Sequence, residues 1–219
     1  MEKQTLLLDH NYRPAANASE NPPAIIMLHG FGSDENDLFS FANELPEKYA
    51  IISLKAPIRL EPYGNAWYNI YFDNAQGKFS DDEQAIASRE LVSKCIDEVV
   101  TKYKIDPKNV TLLGFSQGTI LSFAVALSYP EKVKNVIGLS GYINEEILKE
   151  GYANNNFSKL KVYSSHGNAD QVIPVQWARK TKPFLDNLNI NCTYSEFAVG
   201  HGVAPQNFYE LKNWLAENS

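Results

Sequence analysis

The sequence predicts an α/β protein: a mostly parallel central sheet covered by helices on both faces. Two observations carry this expectation. Short β-branched runs alternate along the chain with helical patterns, and the strand runs are apolar at successive positions, as strands buried on both faces require. In addition, 219 residues with an apolar fraction of 44% suit one sizeable core, so a single domain spanning 1–219 is expected.

The strands are read in order. Ala24–Leu28 is a short apolar run that ends at His29-Gly30, and Ile51–Leu54 and Val110–Leu113 repeat the pattern. Val136–Leu139, Leu160–Tyr163 (running on to about residue 165) and Cys192–Phe197 follow. Helical patterns lie at 83–103, 117–128, 176–188 and 206–217. In the first of these, Val92, Ile96, Val99 and Tyr103 recur three or four residues apart and form one apolar stripe. Segment 57–83 is the long irregular stretch, rich in Pro, Gly, Asn and aromatic residues. Connections of that length in a compact domain are usually functional or mobile.

Composition narrows the partners. A net charge of −6 disfavours nucleic acid and anionic membranes, both of which reward basic patches. The leucines at 6–8 are too short a run for a signal-peptide core, and no stretch has the length of a membrane span, so no stable membrane insertion is expected. Cys95 and Cys192 share no metal-ligand spacing and read as buried thiols in a reducing compartment, which places the protein in the cytoplasm. Monomer and homodimer both remain open.

The chemistry is carried by Gly114-Phe115-Ser116-Gln117-Gly118, between the strand at 110–113 and the helix at 117–128. A serine on a sharp strand-to-helix turn holds strained backbone angles, and small neighbours relieve the crowding around it. The helix N-terminus beside it favours a developing oxyanion. The competing reading, an ordinary serine N-cap, explains the serine but not the flanking glycines.

A nucleophilic serine needs a base, and the base needs a carboxylate to orient it. The chain has four histidines. His10 lies near an end where order is doubtful. His29 precedes the serine, whereas chains of this arrangement run nucleophile, acid, base. His166 leaves no strand-end loop with a good acid between itself and Ser116. His201, in the loop after the strand at 192–197, leaves room for one: Asp170, in His166-Gly167-Asn168-Ala169-Asp170 just past the strand at 160–165. Glu196 falls within a strand pattern and Asp186 within a helix pattern, so neither is placed at a sheet end. His166 is then expected to hold the loop that carries Asp170, and His29 to support the turn after its own strand. Two backbone N–H groups should face the oxyanion, one from Gln117 after the serine and one from the early glycine-rich loop at Phe31. That loop fails both nucleotide-cradle spacings. No metal or organic cofactor is required.

These residues resemble the phospholipase/carboxylesterase family of α/β-hydrolases, which includes acyl-protein thioesterases. The matching stretches are Leu28-His29-Gly30-Phe31-Gly32, Ala66-Trp67-Tyr68, Gly114–Gly118, Leu139-Ser140-Gly141, His166–Asp170 and Gly200-His201, in family order across residues 28–201. The resemblance implies an α/β-hydrolase fold without a large cap domain, action on esters or thioesters, the triad Ser116, Asp170, His201, and an oxyanion hole of Phe31 and Gln117. The chain departs from the thioesterase members in the stretch before Trp67. Tyr63, Trp67, Tyr68, Tyr71 and Phe72 crowd the irregular segment, and Trp67 and Tyr68, within the matched stretch, are expected to contact the substrate. The substrate expected is a small-molecule or lipid-like ester of short-to-medium acyl chain. The alternatives are an acyl-protein thioesterase or lysophospholipase and, in another class, a non-catalytic binding module on a hydrolase fold.

Overall fold

The structure is a computed structural model that describes residues 2–16, 20–73 and 77–218. Its strands are β1 (His10–Arg13), β2 (Ala24–Leu28), β3 (Ala50–Leu54), β4 (Ile58–Arg59), β5 (Asn65–Ala66), β6 (Ile70–Asp73), β7 (Gly77–Ser80), β8 (Val110–Phe115), β9 (Asn135–Leu139), β10 (Lys161–Gly167) and β11 (Asn191–Phe197). Its helices are α1 (Asp82–Lys102), α2 (Gln117–Ser128), α3 (Val175–Ala178), α4 (Thr181–Asn187) and α5 (Pro205–Glu217). Seven of the strands form one sheet in the order β1-β3-β2-β8-β9-β10-β11, with β1 antiparallel to β3 and the other pairs parallel.

The pleat explains why a central strand such as β2 is apolar throughout. In β2, Ile26 and Leu28 face the cluster that includes Val92, Ile96 and Val99 of α1 and the apolar residues of α2. Ile25 and Met27 face the other side, against Leu38, Ala42 and Leu45 and against Leu211 and Leu215 of α5. Both layers are therefore built from one strand, and the mostly parallel sheet with helices on both faces is as expected. Helix α2 is buried at every position, its polar Gln117, Thr119, Ser122 and Ser128 included. Helix α1 starts where the Asp81 side chain accepts the Gln84 N–H, with Asp82 and Glu83 in its first turn against the helix dipole. Pro205 opens α5, where a missing N–H costs nothing.

Three features differ from the sequence reading. His10 belongs to an ordered edge strand and is buried, its Nε2 2.6 Å from the Tyr103 hydroxyl. The expected helix 176–188 is two, because Pro183 lacks the N–H for a helix interior and must sit in a first turn, so α4 restarts at Thr181. The irregular segment holds two small two-stranded sheets, β4–β5 and β6–β7, before α1 begins. The side chain of Phe72 lies outside the described residues.

Candidate active site

The unusual residues gather at the carboxyl ends of the parallel strands, where ligands bind in sheets of this kind. The loop after β2 carries Phe31, the turn after β8 carries Ser116, and the loops after β10 and β11 carry Asp170 and His201. Ser116 has φ 53° and ψ −116°, a backbone conformation that costs a non-glycine residue on the order of 1–3 kcal/mol. Packing enforces it. A Cβ on Gly118 would lie 1.9 Å from the Leu28 carbonyl oxygen, and one on Gly114 would lie 2.4 Å from the Gly118 carbonyl oxygen. Strand β2, strand β8 and helix α2 therefore meet closer than any side chain allows. The Ser116 N–H donates to the Leu139 carbonyl at 2.9 Å and fixes the turn against β9.

The three sequence-derived groups come together. Ser116 Oγ lies 2.9 Å from His201 Nε2, and His201 Nδ1 lies 2.7 Å from Asp170 Oδ2. The network assigns the tautomer: Nδ1–H donates to the carboxylate, leaving Nε2 to accept the serine proton. The Asp170 side chain is fully buried, and its Oδ1 accepts the N–H groups of Val172 and Ile173 at 2.8 and 2.9 Å. Burial alone would push this carboxyl up. The hydrogen bond from His201 and the two backbone N–H groups outweigh it and hold Asp170 below the usual range. His166 Nε2 donates to the Ile173 carbonyl at 2.9 Å and lies 3.2 Å from Asp170 Oδ2, so it ties the loop carrying the acid to β10.

Gln117 and Phe31 bracket Ser116 from two elements. The Gln117 and Phe31 N–H groups donate to no other described residue. The Phe31 loop is held by residues from the irregular segment: Gly32 N–H donates to Asn65 O at 2.9 Å, and Asn65 N–H to Ser33 O at 2.8 Å. Gly64 is required there, since its φ is 88° and a Cβ would lie 2.2 Å from the Gly32 carbonyl oxygen. The Gln117 side chain clamps the same segment, accepting the Trp67 N–H at 2.8 Å and donating to the Tyr68 carbonyl at 2.7 Å.

Trp67 is a correction. It is 0% exposed, its indole N–H donates to the His29 carbonyl at 2.9 Å, and it does not line the cavity at Ser116. Its ring props the strand end from which the Phe31 loop departs. His29 does support that turn: Nδ1 lies 2.8 Å from the Gly30 carbonyl and Nε2 accepts the Ala56 N–H at 3.0 Å. Burial lowers its pKa, consistent with a neutral ring. The cavity, about 360 Å³, is lined by Gly30, Phe31, Ser116, Gln117 and His201, and by Tyr68. Sequence reasoning missed Ile120, Tyr142, Val172, Ile173 and Trp177, which supply much of the remaining wall. They lie on α2, on α3 and in the loops after β9 and β10, and no local pattern links them.

The chain matches the model of the phospholipase/carboxylesterase family over residues 13–219. A probable carboxylesterase of Oryza sativa subsp. japonica is 27% identical over 92% of this chain and 79% of its own length. Acyl-protein thioesterase 1 of Kluyveromyces lactis is 29% identical over 94% of this chain and 96% of its own. Among solved structures, the carboxylesterase of Bacillus cereus superposes with a TM-score of 0.85 at 19% identity, covering 97% of this chain and 95% of that one. The chain belongs to the phospholipase/carboxylesterase family of α/β-hydrolases, enzymes that act on ester bonds.

Proposed function

We propose that this protein is a serine carboxylesterase that hydrolyses esters of short-to-medium acyl chain through an acyl-enzyme on Ser116. The observation that carries the proposal is the line Ser116 Oγ–His201 Nε2 at 2.9 Å and His201 Nδ1–Asp170 Oδ2 at 2.7 Å, ending at a cavity. His201 takes the Ser116 proton as the oxygen attacks the acyl carbonyl, and the N–H groups of Phe31 and Gln117 bind the oxyanion. His201 then protonates the leaving alcohol as the ester bond breaks. Water, deprotonated by the same imidazole, attacks the acyl-enzyme and releases the acid and free Ser116. Asp170 keeps the Nδ1–H tautomer and faces the imidazolium with a fixed charge.

Two observations weigh against the binding-module reading: the strained Ser116 backbone and the fully buried Asp170 carboxylate bonded to His201. Binding alone has no use for either. Thioester hydrolysis is the second reading, favoured by the likeness to the yeast thioesterase along nearly the whole chain. Among the described residues no helix is long and apolar enough to cross a membrane. Cys95 and Cys192 are free and buried, which suits a reducing compartment such as the cytoplasm. The test is turnover of 4-nitrophenyl esters of increasing chain length beside a palmitoylated peptide and a lysophospholipid. Preference for the short-to-medium esters, lost in His201→Ala, is expected. Turnover of the palmitoylated peptide alone would reassign the substrate, and full activity in His201→Ala would end the mechanism.

A further inference from the structure

Part of the cavity wall is not apolar. Asp82, at the start of α1, lines it together with Tyr68, Tyr142 and Asn144. Asp82 Oδ1 accepts the Asn144 amide N–H at 3.3 Å, while Oδ2 accepts no hydrogen bond from a described residue. Tyr68 is only 2% exposed, yet its hydroxyl has no hydrogen-bond partner among the described residues. Burial, then the neighbouring Tyr142 and Asp82, raise its pKa well above the ordinary phenol value, so it stays a neutral hydroxyl facing the cavity. Complementing the α1 dipole accounts for an acid at position 82. It does not by itself account for a carboxylate oxygen and a phenol hydroxyl that both open onto the cavity.

The surrounding surface suits a cation. Tyr142 and Trp177 meet edge to face at 5.1 Å and separate this cavity from an adjoining depression of about 380 Å³. Glu145, Glu146 and Lys180 line that depression, so carboxylates outnumber ammonium groups three to one across the two. Aromatic faces beside a carboxylate attract ammonium groups electrostatically. A neutral alkyl chain reaching this part of the wall would desolvate Asp82 without compensation, whereas an ammonium would supply the missing charge and donors.

We propose that the cavity selects esters whose acyl or alcohol part carries an ammonium group, with Asp82 as its counter-charge and Tyr68, Tyr142 and Trp177 as its aromatic and hydroxyl partners. The proposal rests on the acyl-transfer reading of Ser116.

Two matched substrate pairs test it. 4-Nitrophenyl 6-aminohexanoate and 4-nitrophenyl heptanoate differ by ammonium for methyl at the acyl end. Butyrylthiocholine and S-(3,3-dimethylbutyl) thiobutyrate differ by charge at the leaving-group end. Intrinsic reactivity cancels when the cationic-to-neutral ratio of kcat/KM is compared between the native protein and Asp82→Asn. The ratio should fall by about tenfold in at least one pair, and that pair identifies the end of the ester that enters the polar wall. In the native protein the same ratio should shrink as salt is raised to about 1 M, a readout that needs no variant to fold. A ratio unchanged by Asp82→Asn and by salt in both pairs, with the neutral esters hydrolysed, overturns the cation proposal alone. Failure to hydrolyse any of the four, or the palmitoylated peptide and the lysophospholipid, overturns the acyl-transfer reading and this proposal with it.

Discussion

Asp170→Asn separates orientation from mere presence of a polar group. The change is isosteric, so the asparagine has two ways to sit. With its oxygen at the Oδ1 position it keeps the N–H groups of Val172 and Ile173, now donated at 2.8 and 2.9 Å to an amide oxygen. Its NH2 then faces His201 Nδ1 at 2.7 Å and the His166 Nε2–H at 3.2 Å. Flipped, it would present donors to both N–H groups and leave the buried one of Ile173 unsatisfied, at about 1–3 kcal/mol. The first orientation therefore wins, and it forces His201 to accept at Nδ1. The ring proton moves to Nε2 and points at Ser116, so the base can no longer take the serine proton. The same aspartate-to-asparagine change in the chymotrypsin-type triad lowers kcat by about 10⁴, and the same inversion here should cost about 5 kcal/mol in the transition state. The assay is kcat/KM on 4-nitrophenyl butyrate at pH 8, with a thermal melt alongside. Because the folded pKa of Asp170 lies below its unfolded value, its contribution to stability is full above about pH 4 and is lost as pH falls through the folded value. The stability gap between native protein and variant should therefore close in acid. A folded variant that keeps more than about a tenth of native kcat/KM would refute the tautomer argument.

Two further perturbations follow from the packing. Trp67→Phe removes the donor to the His29 carbonyl and should lower kcat by a similar factor across all ester lengths, with about 1–3 kcal/mol lost in stability. A shift in chain-length preference measured on the folded variant would instead put the ring in the acyl channel. Gly118→Ala places a Cβ 1.9 Å from the Leu28 carbonyl oxygen and 2.7 Å from that of His29, both backbone atoms that cannot swing away. Forcing β2 and α2 apart should cost at least about 1–3 kcal/mol and lower Tm by several degrees, and a melt matching the native one would show that the elbow is not tightly packed.

What the sequence made legible was whatever depends on residue type at a strand end. Ser116, Asp170 and His201 each follow a strand, and chain order then restricts the choice of base among four histidines. The glycine loop at Phe31 was legible for the same reason. Trp67 was not, because an aromatic in an irregular segment has the same sequence signature whether its ring meets a cavity or a buried carbonyl. Strand β1 escaped notice since His10-Asn11-Tyr12-Arg13 has no apolar run. Its burial comes from partners far along the chain, Tyr103 under His10 and Tyr12 stacked on the same ring at 4.3 Å. Asp82 lies just before the helical pattern at 83–103 and carries no signal of its own, and only the fold brings Tyr68, Tyr142 and Asn144 around it.

The account stands most directly on Ser116 as the atom that takes the acyl group. Native protein treated with a fluorophosphonate and mapped by peptide mass spectrometry should carry one adduct, on the peptide containing Ser116. The adduct should form much more slowly in Asp170→Asn and not at all in Ser116→Ala or in heat-denatured protein. An adduct on another residue, or labelling of Ser116→Ala at the native rate, would contradict it.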